Sequence, residues 1–118
     1  LVAERYRILF AEQDLGEWVT PPLEEKGNRH IYHQYVIRCR SRDLLKENLA
    51  GRGITTRIYY PLSLHLQPCF SYLGYGRGDM PVSENLTEEV LALPIFPELE
   101  PGEQEQVVQA ISDFYHRR

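Results

Sequence analysis

The chain has 118 residues, 42% of them apolar and 25% charged, with a formal net charge of −4. That is the size and composition of one globular domain able to bury a core. The acidic balance, with no Lys/Arg block before Arg117–Arg118, argues against nucleic-acid binding, and no apolar run approaches the roughly 18 residues of a membrane helix.

Val2, Tyr6, Leu9 and Phe10 fall at i, i+4, i+7 and i+8 and predict an amphipathic first helix. The chain opens with Leu1 inside this pattern, and its single methionine is Met80. Two readings of that start are open, a processed or engineered one and the interior of a longer polypeptide. Residues 20–28, TPPLEEKGN, form a polar connector. HIYHQYVIRC, residues 30–39, reads as a strand. In SRDLLKENLAGRG, Ser41 is the expected N-cap, Leu45 and Leu49 lie one turn apart, and Gly51 or Gly53 ends the helix. ITTRIYY, residues 54–60, is a second predicted strand, stopped by Pro61.

A loop with a helical turn is expected over residues 62–73, and GYGRGD reads as a hinge. PVSENLTEEVLAL, residues 81–93, predicts a helix with Pro81 in its first turn and Val82, Leu86 and Val90 on one face. LALPIFP is a short extended piece in which Pro94 implies an edge position or a break. The last helix begins near Pro101, with Val107, Val108, Ile111, Phe114 and Tyr115 as its buried stripe. Few strands with short helical connections predict an α+β fold, a small, mostly antiparallel sheet covered by helices on one face.

Cys39 and Cys69 are too few for a disulfide framework and read as free thiols of a reducing, cytoplasmic compartment. His30, His33 and Cys39 do not make a metal site. In a strand, residues 30 and 33 point to opposite faces, and Cys39 lies about 20 Å from His33 at roughly 3.3 Å per residue. Only two lysines occur, Lys26 in the hydrated connector and Lys46 on the second helix, about 100° around the axis from Leu45. Neither suits a Schiff base, which needs a desolvated, positioned amine. No catalytic residue and no cofactor is therefore expected on this chain alone.

The chemistry-bearing stretch is RIYYPLSLHLQP, residues 57–68. Strand alternation places Ile54, Thr56, Ile58 and Tyr60 on one face and Thr55, Arg57 and Tyr59 on the other. Arg57, Tyr59, His65 and Gln67 suit an anionic, hydroxyl-rich ligand, because guanidinium forks onto phosphate and phenol meets a sugar or base. A proline-stiffened connector with a satisfied histidine is the competing account.

The run from GITTRIYYP through LHLQP, LGYGRGDMPVSE, LALPIFPEL and EQEQVVQAI, preceded by HIYHQYVIR, resembles the C-terminal region of the DegT/DnrJ/EryC1/StrS aminotransferases. The resemblance is close over residues 30–112. It implies that residues 1–29 are a linker helix and connector from a missing large domain, and residues 30–118 the aminotransferase C-terminal small domain. In this family the large domain holds pyridoxal phosphate and the Schiff-base lysine, and the substrate is a keto sugar linked to a nucleotide. By the resemblance Tyr60, Pro61 and His65 belong to a loop at the active-site mouth. Tyr59 stands where many members have histidine, and Arg57 matches no strong family position.

The implied partners are the N-terminal domain of the same polypeptide, the nucleotide-sugar substrate and a second copy in a homodimer. Two other readings compete: a stand-alone, non-catalytic nucleotide-sugar binding module, and a dimerisation module. The latter expects Val2, Tyr6, Leu9 and Phe10 to be exposed without a large domain.

Overall fold

The computed structural model describes residues 2–29 and 33–116. Helix α1 spans Val2–Glu12, α2 Arg42–Gly51, α3 Pro81–Glu89 and α4 Pro101–His116. Strands β1 (Val19–Thr20), β2 (Tyr35–Cys39) and β3 (Val90–Leu93) form an antiparallel sheet in the order β1-β2-β3. Val19 pairs with Cys39, and Tyr35 with Leu93. The fold is α+β, and α1 and α2 both pack on α4. Among the described residues no helix is long and apolar enough to cross a membrane.

The apolar patterns select these elements. Along β2, Tyr35, Ile37 and Cys39 are buried while Arg38 is exposed, the period of two that a strand imposes. Leu45 and Leu49 are fully buried, each contributing about 1.5–3 kcal/mol relative to exposure. Helix α4 buries Val107, Val108, Ile111 and Tyr115 and half-buries Phe114. It also buries Gln104, whose amide donates to the Val2 carbonyl at 2.8 Å and accepts from Arg5 at 2.9 Å. That satisfies a polar group no stripe would place inside.

The end of α2 follows from one glycine. Ile54 N–H bonds the Leu49 carbonyl and Gly53 N–H bonds that of Ala50, a pairing that requires a left-handed backbone at the earlier of these two donors in the chain. Gly53 supplies it at φ 80°. At the other end Ser41 occupies the N-cap position, but its own left-handed backbone leaves its hydroxyl without a capping bond.

Several expectations are corrected. The helix expected over 81–93 stops at Glu89, and the continuous apolar run Val90–Leu93 becomes β3, buried at every position. Val19–Thr20, whose second residue opens the expected connector, is an edge strand. The strand expected over 54–60 shrinks to one bridge, Arg57 to Ala92, whose two bonds measure 3.1 and 2.7 Å. The reason lies in β3's neighbours. The next ladder donors would be residues 90 and 94, but Val90 N–H closes the last turn of α3 on Leu86, and Pro94 has no N–H. Finally, the α1 stripe is not an exposed face. Tyr6 and Phe10 are buried, and Val2 and Leu9 pack on the same core. This removes the premise of dimerisation through that stripe. Within the strand expected over 30–39, residues 30–32 lie outside the described residues.

Candidate functional site

After the Ala92 bridge the chain leaves the sheet edge and delivers its aromatic pair to the surface. Thr56 is buried and Ile54 and Ile58 are half-buried, while Thr55, Arg57 and Tyr59 are exposed. The alternation then fails at Tyr60, which is 69% exposed instead of sharing the inner face of Ile58. The Tyr59 and Tyr60 rings meet edge to face, with centroids 5.9 Å apart. Two 3-10 turns follow, Leu64–Leu66 and Pro68–Leu73.

These tyrosines open onto a cleft of about 660 Å³ between segment 59–67 and segment 79–90. Tyr59, Tyr60, Leu62 and Gln67 form one wall, and Asp79 and Met80 begin the other. Val82 and Leu86, expected with Val90 on one helix face, line this cleft together with Val90, which is the buried first residue of β3. Val82 is 74% exposed there. Among the described residues no Lys, Arg or His lines the cleft. It offers aromatic surface, aliphatic surface, hydroxyls and one carboxylate. Such a lining fits the uncharged body of a ligand and supplies no cation for a phosphate.

The four candidate residues separate accordingly. Tyr59 and Tyr60 line the cleft. Arg57 is exposed, is not part of the lining, and is fixed through its backbone to Ala92. His65 turns inward, buried, with Nε2 3.0 Å from Glu84 Oε2. Glu84 also accepts the N–H groups of Gly78 and Met80. These amides, Gly78 foremost, and then the His65 ring hold its carboxyl below the usual carboxylate range against the opposing effect of burial. Gly78 reaches the carboxylate from a left-handed backbone at φ 93°, a conformation that favours glycine.

Sequence reasoning missed Ser63, Ser83 and Glu84. Only Glu84 carried a signal, an acid in the first turn of a helix that starts with proline. His33 is exposed, Cys39 is buried with Sγ–H donating to the Glu89 carbonyl at 3.6 Å, and His30 lies outside the described residues. Among the described residues no group of three His, Cys, Asp or Glu side chains is placed to hold a metal ion.

A profile of the DegT/DnrJ/EryC1/StrS aminotransferase family matches residues 1–112. The chain belongs to this family. A pleiotropic regulatory protein of Geobacillus stearothermophilus is 47% identical over 104 residues, 88% of this chain and 28% of that protein. A dTDP-3-amino-3,4,6-trideoxy-alpha-D-glucose transaminase of Micromonospora megalomicea subsp. nigra is 33% identical over 113 residues, 95% of this chain and 30% of that enzyme. The S. venezuelae DesV structure, in complex with a ketimine intermediate, superposes with a TM-score of 0.84 at 29% identity. That match covers 98% of this chain and 32% of DesV. The chain thus spans about a third or less of the family members it matches.

Pyridoxal phosphate, the cofactor the family implies, needs an amine free to form a Schiff base. Lys46 is half-buried, and its Nζ donates to the Thr56 carbonyl at 3.1 Å. Lys26 is exposed in the connector, and neither lysine lines the cleft.

Proposed function

We propose that this chain is the C-terminal part of a pyridoxal-phosphate-dependent aminotransferase that aminates a nucleotide-linked keto sugar. It contributes substrate-loop residues at the active-site mouth, while the cofactor and its lysine belong to an N-terminal domain of the same polypeptide. The observation that carries the reading is the family match along nearly the whole chain, set against its coverage of only 28–30% of the curated relatives.

In this reading residues 1–29 lead in from the large domain, and the small domain proper begins at residue 30. Tyr59 and Tyr60 meet the sugar nucleotide. Arg57 supplies the cation for its phosphates, since the cleft lining has none. His65 acts one step behind them, through Glu84. The intact protein works as a homodimer in the cytoplasm.

The test starts from the native protein in its source cell, detected with an antibody against this chain. A species well above 13.8 kDa is expected. Supplied with pyridoxal phosphate and L-glutamate, it should replace a keto oxygen by an amino group on a dTDP- or UDP-linked sugar, read by mass spectrometry. A species of 13.8 kDa alone, binding a sugar nucleotide without aminating it, would overturn the reading in favour of a stand-alone binding module.

A further inference from the structure

The walls of the cleft come from two stretches of chain about twenty residues apart, and their spacing must be fixed by bonds between them. Ser63 and Ser83 face each other across it, the Ser83 hydroxyl donating to Ser63 Oγ at 3.0 Å. Next to that pair stand His65 and Glu84, whose side chains are only 7% and 10% exposed. The Glu84 carboxylate accepts from Gly78 N–H at 2.8 and 2.9 Å and from Met80 N–H at 3.1 Å. An ionised carboxylate only accepts, so the imidazole proton sits on Nε2 and His65 is the donor. One side chain therefore gathers the turn at 64–66, the glycine turn before α3 and the first turn of α3 itself.

This exceeds what the helix end requires. An acid in a first turn commonly satisfies its own helix's N–H groups, and Glu84 does this through Met80. Gly78 and His65 lie outside the helix, and His65 comes from the opposite wall. Neither His65 nor Glu84 lines the cleft. His65 is buried and Glu84 half-buried, and the bond between them joins the two walls.

We propose that Glu84 and His65 are positioning residues. Their bond clamps segment 59–67 to segment 79–90 and so fixes where Tyr59 and Tyr60 stand relative to Asp79 and Met80. Its consequence for the substrate rests on the reading of the cleft as a nucleotide-sugar site. The clamp itself does not.

The experiment uses the intact polypeptide that contains this chain, with Glu84→Gln and His65→Gln variants. Hydrogen-exchange mass spectrometry reads peptides over residues 57–67 and 76–84, with residues 107–115 of α4 as the internal control. Glu84→Gln is expected to speed exchange about tenfold or more in both cleft peptides and to leave α4 within about twofold. His65→Gln keeps a donor at this position and should retain most of the protection. With the keto-sugar nucleotide the intact enzyme accepts, Glu84→Gln should raise KM about tenfold and change kcat less than about threefold.

Unchanged exchange at 57–67 overturns the clamp. So does equal loosening of α4, which would mark a merely structural residue, whereas an unchanged KM in an active variant whose cleft peptides loosen overturns the consequence for the substrate. If the intact protein aminates no sugar nucleotide, the reading of the site falls, and the exchange result alone decides the clamp.

Discussion

The Tyr6 hydroxyl donates to the Pro94 carbonyl at 2.6 Å, tying the first helix to the end of β3 across 88 positions of sequence. The Tyr6 ring also lies 4.8 Å from that of Tyr35 on β2. Burial pushes the phenol far above its ordinary pKa, so it stays a donor at any pH the fold survives. Helix α1 is therefore anchored in the same core as the sheet.

Tyr6→Phe keeps the ring and deletes the donor. It should lower stability by about 1–3 kcal/mol, the cost of leaving such an acceptor unpaired. In a thermal melt that is a Tm lower by about 4 °C or more. An unchanged Tm would mean that water replaces the hydroxyl at Pro94.

Much of this was legible in the sequence. The spacing of Leu45 and Leu49 marks α2, and the stripe from Val107 to Tyr115 marks α4, because both helices bury one face against a single core. That the strand expected over 54–60 would shrink to one bridge was not legible. Its pairing is limited by the engaged N–H of Val90 and the missing one of Pro94, on a partner about 35 residues away. The aromatic pair was legible as a candidate site, yet the inward turn of His65 was not. That turn depends on Glu84, and nothing in LHLQP announces a partner on another helix. The spacing of Val82, Leu86 and Val90 reports a shared face, and all three line the cleft, although Val90 does so from β3.

The two thiols should differ sharply in reactivity. Burial pushes Cys39 up to about 11, and it is enclosed, whereas Cys69 is exposed. Because thiolate is the reactive form, an aromatic disulfide reagent at neutral pH should label one thiol in the folded chain and two in denaturant. A raised pKa stabilises the native state fully below the unfolded value of about 8.5. That contribution is lost as pH rises toward 11, so Cys39→Ser should flatten part of the alkaline fall in stability. Equal labelling of both thiols without denaturant would contradict the burial of Cys39.

Glu84 should govern the acid limb. Its folded pKa lies below the ordinary 4.5, chiefly because Gly78 and Met80 donate to it. The unfolded chain therefore takes up its proton first as pH falls. The stabilisation is complete above about pH 4.5 and disappears as pH drops through the folded value. Urea midpoints of the parent chain and Glu84→Gln, compared between pH 3 and pH 6, should differ at the upper end and converge at the lower. A constant difference across that range would show that the carboxylate does not titrate with folding.

The division of labour between Arg57 and the tyrosines makes the sharpest kinetic prediction. Tyr59 presents a phenol to a cleft without cations, so Tyr59→Phe removes at most one hydrogen bond to an uncharged group. That is worth about 0.5–1.5 kcal/mol, or a KM for the sugar nucleotide raised about 2- to 12-fold in the intact enzyme. Arg57→Ala removes a charge-assisted contact worth about 1.5–3 kcal/mol, so its KM should rise at least about tenfold. Its effect should also shrink as salt is added, because an exposed guanidinium is screened. Cofactor content, read from the absorbance of bound pyridoxal phosphate, should stay at the parent level in both variants. If Tyr59→Phe raises KM while Arg57→Ala leaves it unchanged, the phosphates are met by cations from outside this chain, and the small domain reads only the sugar or the base. If neither variant moves KM, the cleft is not where the nucleotide sugar binds.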